Sequence, residues 1–173
     1  MDMQKIIKVT TNLVEALHKC YRRIDKHDFI RNESELDQLV NDELIYVEVD
    51  SQRIFSYIGL TRYLSGHLFQ DDEDPRDRVE EMLEKLNLIG EDVAAIIALG
   101  IDPAVNYKEH LRLLVEFAKG KYHKSALIMV SHVPFEGELY AGLKENGFQF
   151  VESRSHIAYY KYKSEGLARG LSW

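Results

Sequence analysis

The chain has 173 residues, 45% apolar and 29% charged, with a formal net charge of −7. Folding at that length buries roughly 70% of the unfolded surface, so one domain over residues 1–173 needs neither disulfides nor metal. The single cysteine, Cys20, excludes a disulfide framework and multi-cysteine zinc or iron–sulfur sites.

In chain order, Lys5 to Val9 is a short β-branched run followed by the cap-competent Thr10-Thr11-Asn12. Leu13, Ala16, Leu17, Cys20, Tyr21 and Ile24 then recur at helical spacing and predict an amphipathic helix. A second helix is expected from Glu33 to Val40. Leu44 to Val49 and Arg53 to Leu60 read as a hairpin turned at Asp50-Ser51-Gln52. Asp71-Asp72-Glu73-Asp74-Pro75 reads as a helix start, because acids and a first-turn proline suit the N-terminus. Val79, Met82, Leu83 and Leu86 supply the apolar face, and Gly90 ends the segment. Val93 to Leu99 is a continuous apolar run of the kind buried on both faces, broken by Gly100-Ile101-Asp102-Pro103. A helix with Tyr107, Leu111, Leu114 and Ala118 follows, then a strand from Ala126 to Val130 and a helix from Phe135 to Glu145. Phe148 to Val151 and His156 to Tyr162 close the chain as two strands. Hairpins pair antiparallel, whereas strand–helix–strand from Val93 to Val130 demands a parallel pair with a right-handed crossover. The fold class is therefore α/β or α+β, with a central mixed sheet flanked by helices and a helical insertion at about residues 66–90.

The charge is uneven. Residues 71–92 hold ten acids against three basic residues, so the rest of the chain is neutral overall. Residues 104–124 are locally basic through Lys108, Arg112, Lys119, Lys121 and Lys124. A duplex binder carries net positive charge and a basic face, which argues against a nucleic-acid partner. No apolar run approaches the ~20 residues that span a bilayer, and Met1-Asp2-Met3-Gln4-Lys5 leads into no signal core. The expectation is a cytoplasmic protein without a membrane partner. No pair of histidines stands four residues apart, so no metal is expected. Cys20 reads as a core residue, and no serine has the glycine-flanked elbow of a hydrolase. Tyr159, Tyr160 and Tyr162 read as sheet packing or as the surface of a homodimer.

The element order resembles the GCN5-related N-acetyltransferase family over nearly the whole chain. Ile101-Asp102-Pro103 with Leu113-Leu114 resembles its strand exit, pyrophosphate loop and helix. Leu139-Tyr140-Ala141-Gly142-Leu143-Lys144-Glu145-Asn146-Gly147-Phe148 resembles the closing helix and its exit, and Glu43 to Asp50 with Arg53 to Gly59 resembles the second and third strands. The resemblance implies an acyl-CoA N-acyltransferase-like fold that passes an acetyl group from acetyl-CoA, as co-substrate, to a small-molecule or lysine amine. It implies a coenzyme site at Ile101, Val105, Asn106, Tyr107, Lys108 and Arg112. Two departures stand out. The loop from Ala104 to His110 has no glycine, and Leu143 occupies the position of the family's frequent tyrosine acid, with Tyr140 one turn earlier. Tyr140 is therefore the expected acid, and Glu48 or His67 the expected base. Asp71, Asp72 and Asp74 either form a wall that attracts a cationic acceptor or belong to a capped surface helix; residues 66–90 are expected to act as a flap. The alternative is a non-catalytic relative that senses a ligand or binds a partner.

Overall fold

The computed structural model describes residues 5–25, 27 and 29–161. The elements are β1 (Lys5–Lys8), α1 (Val14–Arg23), α2 (Glu33–Asn41), β2 (Ile45–Asp50), β3 (Arg53–Thr61), α3 (Leu64–His67), α4 (Pro75–Lys85), β4 (Val93–Ile101), α5 (Tyr107–Lys121), β5 (Ala126–Ser131), α6 (Gly137–Glu145), β6 (Gln149–Glu152) and β7 (His156–Tyr160). They build one seven-stranded mixed sheet in the order β1-β2-β3-β4-β5-β7-β6. Among the paired strands only β4 and β5 run parallel.

Helices cover both faces. On one face Leu111, Leu114, Val115 and Ala118 of α5, with Leu143 of α6, pack on Ile58, Ala94, Ile96, Leu127 and Met129. On the other, Leu17, Cys20 and Tyr21 of α1 and Leu36 of α2 pack on Ile45, Val47, Ile54 and Ala98. The same face is continued by Val79 and Met82 of α4, with Leu86 and Leu88 beyond it, against Val93, Ala95, Ala126, Ile128 and Ile157. Each of the leucine, isoleucine, valine and methionine side chains contributes about 1.5–3 kcal/mol by leaving water, and the alanines less. Residues 66–90 are therefore a core layer as well as an insertion, which corrects the expectation of a flap.

Local chemistry accounts for most boundaries. Asn32, Asp74 and Asn106 cap α2, α4 and α5 by accepting the amides of Glu35, Asp77 and Glu109. Helix α4 stops at Lys85 rather than Gly90, because Asn87 turns into the left-handed region at φ 59°. Strand β4 runs to Ile101, beyond the expected break at Gly100. Gly100 stays in the strand because the buried Tyr57 ring packs over it: an added Cβ would lie 2.2 Å from Cε2. Helix α6 starts at Gly137, two residues after the expected Phe135. Tyr162, expected in the last strand, lies outside the described residues.

Candidate functional site

The parallel pair opens as it proceeds. Its pairing covers Val93, Ala94 and Ala95 against Ala126, Leu127 and Ile128, while β4 continues to Ile101 and β5 to Ser131. A bulge in the β3–β4 pairing between Gly59 and Leu60 skips Ile97, so Ala95 and Ala98 share the α1–α4 face with it. The two strands thus leave a gap in the middle of the sheet with main-chain groups along its edges.

Three cavities meet on the α1–α4 face of this gap. One of about 140 Å3 is lined by Phe29, His67, Phe69, Ile96, Ile97, Val130 and His132, among others. A second of about 420 Å3 carries charge: Arg31, Arg78 and Arg154 against Glu35, Asp71 and Asp72, again with His67 and His132. A third, also about 420 Å3, adds Gln38 and Leu39 of α2 and Asp42 just beyond it, and shares His67 and Ile97. His67 lines all three. Its Nδ1 lies 3.1 Å from the Tyr63 carbonyl oxygen and 2.9 Å from Thr61 Oγ1. A carbonyl only accepts, so the Tyr63 contact is a hydrogen bond in the tautomer protonated at Nδ1, in which Nε2 carries the lone pair.

The acids expected to form a wall behave differently from one another. Asp74 caps α4, and Asp72 accepts from Arg78 Nε at 3.0 Å. Arg78 is itself buried, with its guanidinium 4.5 Å from the Phe69 ring centre. Asp71 lines the cleft with no side-chain hydrogen bond among the described residues. Each cleft arginine has an acidic partner: Glu35 for Arg31, Asp72 and Glu81 for Arg78, and Glu81 for Arg154. The lining is thus a balanced set of paired charges rather than an acidic wall.

The other expected acid–base residues stand elsewhere. Glu48 is 0% exposed on the α5 face; its Oε1 accepts from Ser56 Oγ at 2.7 Å and lies 2.6 Å from His110 Nδ1. Its Oε2 has no hydrogen-bond partner among the described residues. Strand alternation puts Val47 toward α1 and Glu48 toward α5, so Glu48 and His67 face opposite sides of the sheet. Tyr140 is 39% exposed on α6, its ring 4.6 Å from that of Phe150. Neither Glu48 nor Tyr140 lines any of these three cavities. Cys20 is buried and its thiol is pushed up to about 12 by desolvation, which suits a core residue.

At the far end of β4 a groove of about 310 Å3 is lined by Asn106, Lys108, Glu109, Arg112, Glu145 and Asn146. Lys108 pairs with Glu145 at 3.4 Å and Arg112 with Glu116 at 3.0 Å. The connection into α5 is bonded internally: Ala104 donates its amide to Asp102 Oδ1, Val105 to the Asp102 carbonyl and Glu109 to Asn106 Oδ1. Ile101 is buried at the strand end, while Val105 and Tyr107 pack on the α5-side core. Asp102 is 1% exposed; its Oδ2 accepts from Arg23 Nε at 2.6 Å, with Arg53 at 3.8 Å. Burial works against its charge, yet the Ala104 amide and the two guanidiniums hold its carboxyl below the usual range. Sequence reasoning passed over this anchor and His132, although Asp before a proline at a strand exit is a turn signal.

Among the described residues no group of three or more His, Cys, Asp and Glu could hold a metal ion, and no helix is long and apolar enough to cross a membrane. No family model and no curated protein matches the sequence. Solved structures do match the fold. A Drosophila melanogaster polyamine N-acetyltransferase shares 10% identity over 92% of this chain and 100% of its own, with a TM-score of 0.61. A GNAT-like decarboxylase in complex with isobutyryl-CoA, GphF, shares 13% over 92% and 100%, with a TM-score of 0.65. PaiA N-acetyltransferase from Thermoplasma acidophilum, in complex with coenzyme A, shares 14% over 92% and 99%, with a TM-score of 0.55. The chain has the fold of the GCN5-related N-acetyltransferases, with a seven-stranded mixed sheet flanked by helices.

Proposed function

We propose that this fold serves transfer of an acetyl group from acetyl-CoA to a small primary amine, centred where the His67 cleft meets the gap between β4 and β5. One observation carries the reading: pairing stops at Ala95 and Ile128, so an opening with unpaired main-chain edges lies between the cleft and the start of α5. Pantetheine is a chain of amides, and such edges are its natural partners. Lys108 and Arg112 would exchange Glu145 and Glu116 for phosphate oxygens, helped by the positive end of α5. Acetyl-CoA supplies an activated thioester; the chain's own task is to place an amine and move its proton. An ammonium must lose a proton before it can attack, and with Nδ1 bonded to the Tyr63 carbonyl His67 offers a lone pair at Nε2. The fold neighbours named above include both acetyltransferases and a decarboxylase, so fold alone does not decide the reaction.

The acceptor is read as a small amine, whose cationic form Asp71 would hold; Asp72 and Asp74 are already engaged by Arg78 and the α4 amides. A second reading, a ligand-sensing relative without catalysis, is favoured by the amides of Ala104, Val105 and Glu109, which are bonded inside the loop. Titration calorimetry with acetyl-CoA separates the two. Binding that weakens tenfold or more (about 1.4 kcal/mol) in Lys108→Glu/Arg112→Glu is the expected result. Absence of binding to the unaltered chain leaves only the second reading.

A further inference from the structure

Acyl transfer needs two proton movements, and the cleft contains a second imidazole. The charged 420 Å3 cavity and the 140 Å3 cavity share four lining residues, Phe29, His67, Phe69 and His132. Two imidazoles and two phenyl rings therefore mark the junction of the two spaces. The smaller one continues along the gap past Leu68, Ile96, Ile97, Val130 and Ser131 and has no charged carboxylate, lysine or arginine in its lining; the larger one carries the charged groups. His132 immediately follows β5, at the point where that strand has separated from β4. Its backbone is anchored, because Ser131 is buried and its hydroxyl accepts the Val133 amide at 3.2 Å. The ring nitrogens of His132 have no hydrogen-bond partner among the described residues. The α6 positions are poorly placed for the same task, since Leu143 is apolar and fully buried and Tyr140 lines neither cavity.

We propose that His132, rather than a tyrosine on α6, gives the proton to the departing thiol, opposite His67; this rests on the acyl-transfer reading. The amine nitrogen bonds to the acyl carbon, and its proton passes to His67 Nε2. The carbon–sulfur bond breaks, its electron pair stays on sulfur, and sulfur takes the proton of His132. His67 then returns a proton to solvent and His132 regains one, so atoms and charge balance. Histidine suits both tasks because it exchanges protons near neutrality.

The test uses the full chain with acetyl-CoA and three probe amines, agmatine, spermidine and 2-phenylethylamine, following release of the CoA thiol. His132→Gln should lower kcat about 100-fold, within the range of general acid catalysis, while calorimetric affinity for CoA and the melting temperature stay unchanged. With 4-nitrophenyl acetate, whose leaving group is a stable anion and needs no proton, the variant should stay within about twofold of the unaltered chain. Unchanged kcat with acetyl-CoA, or equal losses with both donors, would overturn the assignment. A readout without turnover is the imidazole 1H–13C spectrum: His132 and His123 are both exposed, but CoA should move the His132 signal and leave that of His123, which lines neither cavity, in place. A His132 signal unmoved at CoA saturation also defeats the proposal. If the unaltered chain binds CoA yet releases no thiol with any probe amine, the acyl-transfer reading itself fails and this assignment falls with it.

Discussion

Two buried carboxylates grip the connection between β4 and α5 from opposite faces of the sheet, and they are compensated very differently. Asp102, toward α1, has both oxygens engaged, by the Ala104 amide, Arg23 and Arg53. Glu48, toward α5, shares one oxygen between Ser56 and His110 and leaves the other without a hydrogen-bond partner among the described residues. Burial alone penalises both charges; only partners offset that penalty. Asp102 is thus an ionic anchor that holds a glycine-free loop in one conformation. Glu48 is a half-satisfied brace beneath the first turn of α5, and the difference teaches that equal burial does not mean equal contribution.

The sharpest way to break this comparison is to remove the anchor. Asp102→Ala strands Arg23 and frees the Ala104 amide, so urea denaturation should show a loss of about 3 kcal/mol, the lower end for breaking a buried pair because Arg23 is partly exposed. The same variant should weaken acetyl-CoA binding through the loosened loop. A loss no larger than that of a surface substitution would end the distinction. Glu48→Gln is expected to cost about 1 kcal/mol, since the amide oxygen can still accept from Ser56 and His110. A cost equal to that of Asp102→Ala would show that both carboxylates act as anchors.

Acid sharpens the contrast. The carboxyl of Asp102 is held below its ordinary range, so its stabilisation is complete above the unfolded-state pKa of about 4 and is lost as pH falls through the folded value. The stability gap between the unaltered chain and Asp102→Asn should therefore narrow below that pH in denaturation measured at several pH values. The smallest expected effect lies at the surface. His18 joins α1 to α2, with Nδ1 2.6 Å from Glu33 and Nε2 2.6 Å from Asp37. Desolvation lowers its pKa, but these two carboxylates together raise it above the ordinary histidine value. Its contribution is present below the unfolded pKa and disappears as pH rises through the raised folded one. His18→Gln should accordingly lower the melting temperature at pH 5 more than at pH 8. The opposite order would show that the clamp is not ionic.

Much of the fold could be read locally. The stripe from Leu13 to Ile24, the Asp74-Pro75 helix start and the apolar run from Val93 each declare their element within a few residues, because helix and strand periods are short. The sheet's parallel pair followed from the same reading, since an intervening helix forces a crossover. The site was legible only in part. His67 was named and lies at the centre of the cleft, and Lys108 and Arg112 flank a groove at the start of α5. Glu48 was named without its face, which depends on a period-two alternation around the bulge after it. The acidic run offers two readings in sequence, a charged wall or a capped surface helix, and the structure engages two of its members by capping and by Arg78.

By itself, then, the sequence determined element types, their order and the neighbourhoods of charge, all of which depend on interactions between residues a few positions apart. Tertiary structure alone decided that His67 and His132 would line the same two cavities, and that Asp102 would meet Arg23 from α1. Such meetings depend on strand order, on where the β4–β5 pairing gives out and on which face each side chain takes. No local pattern records them, because the chain must close loops tens of residues long before those groups meet.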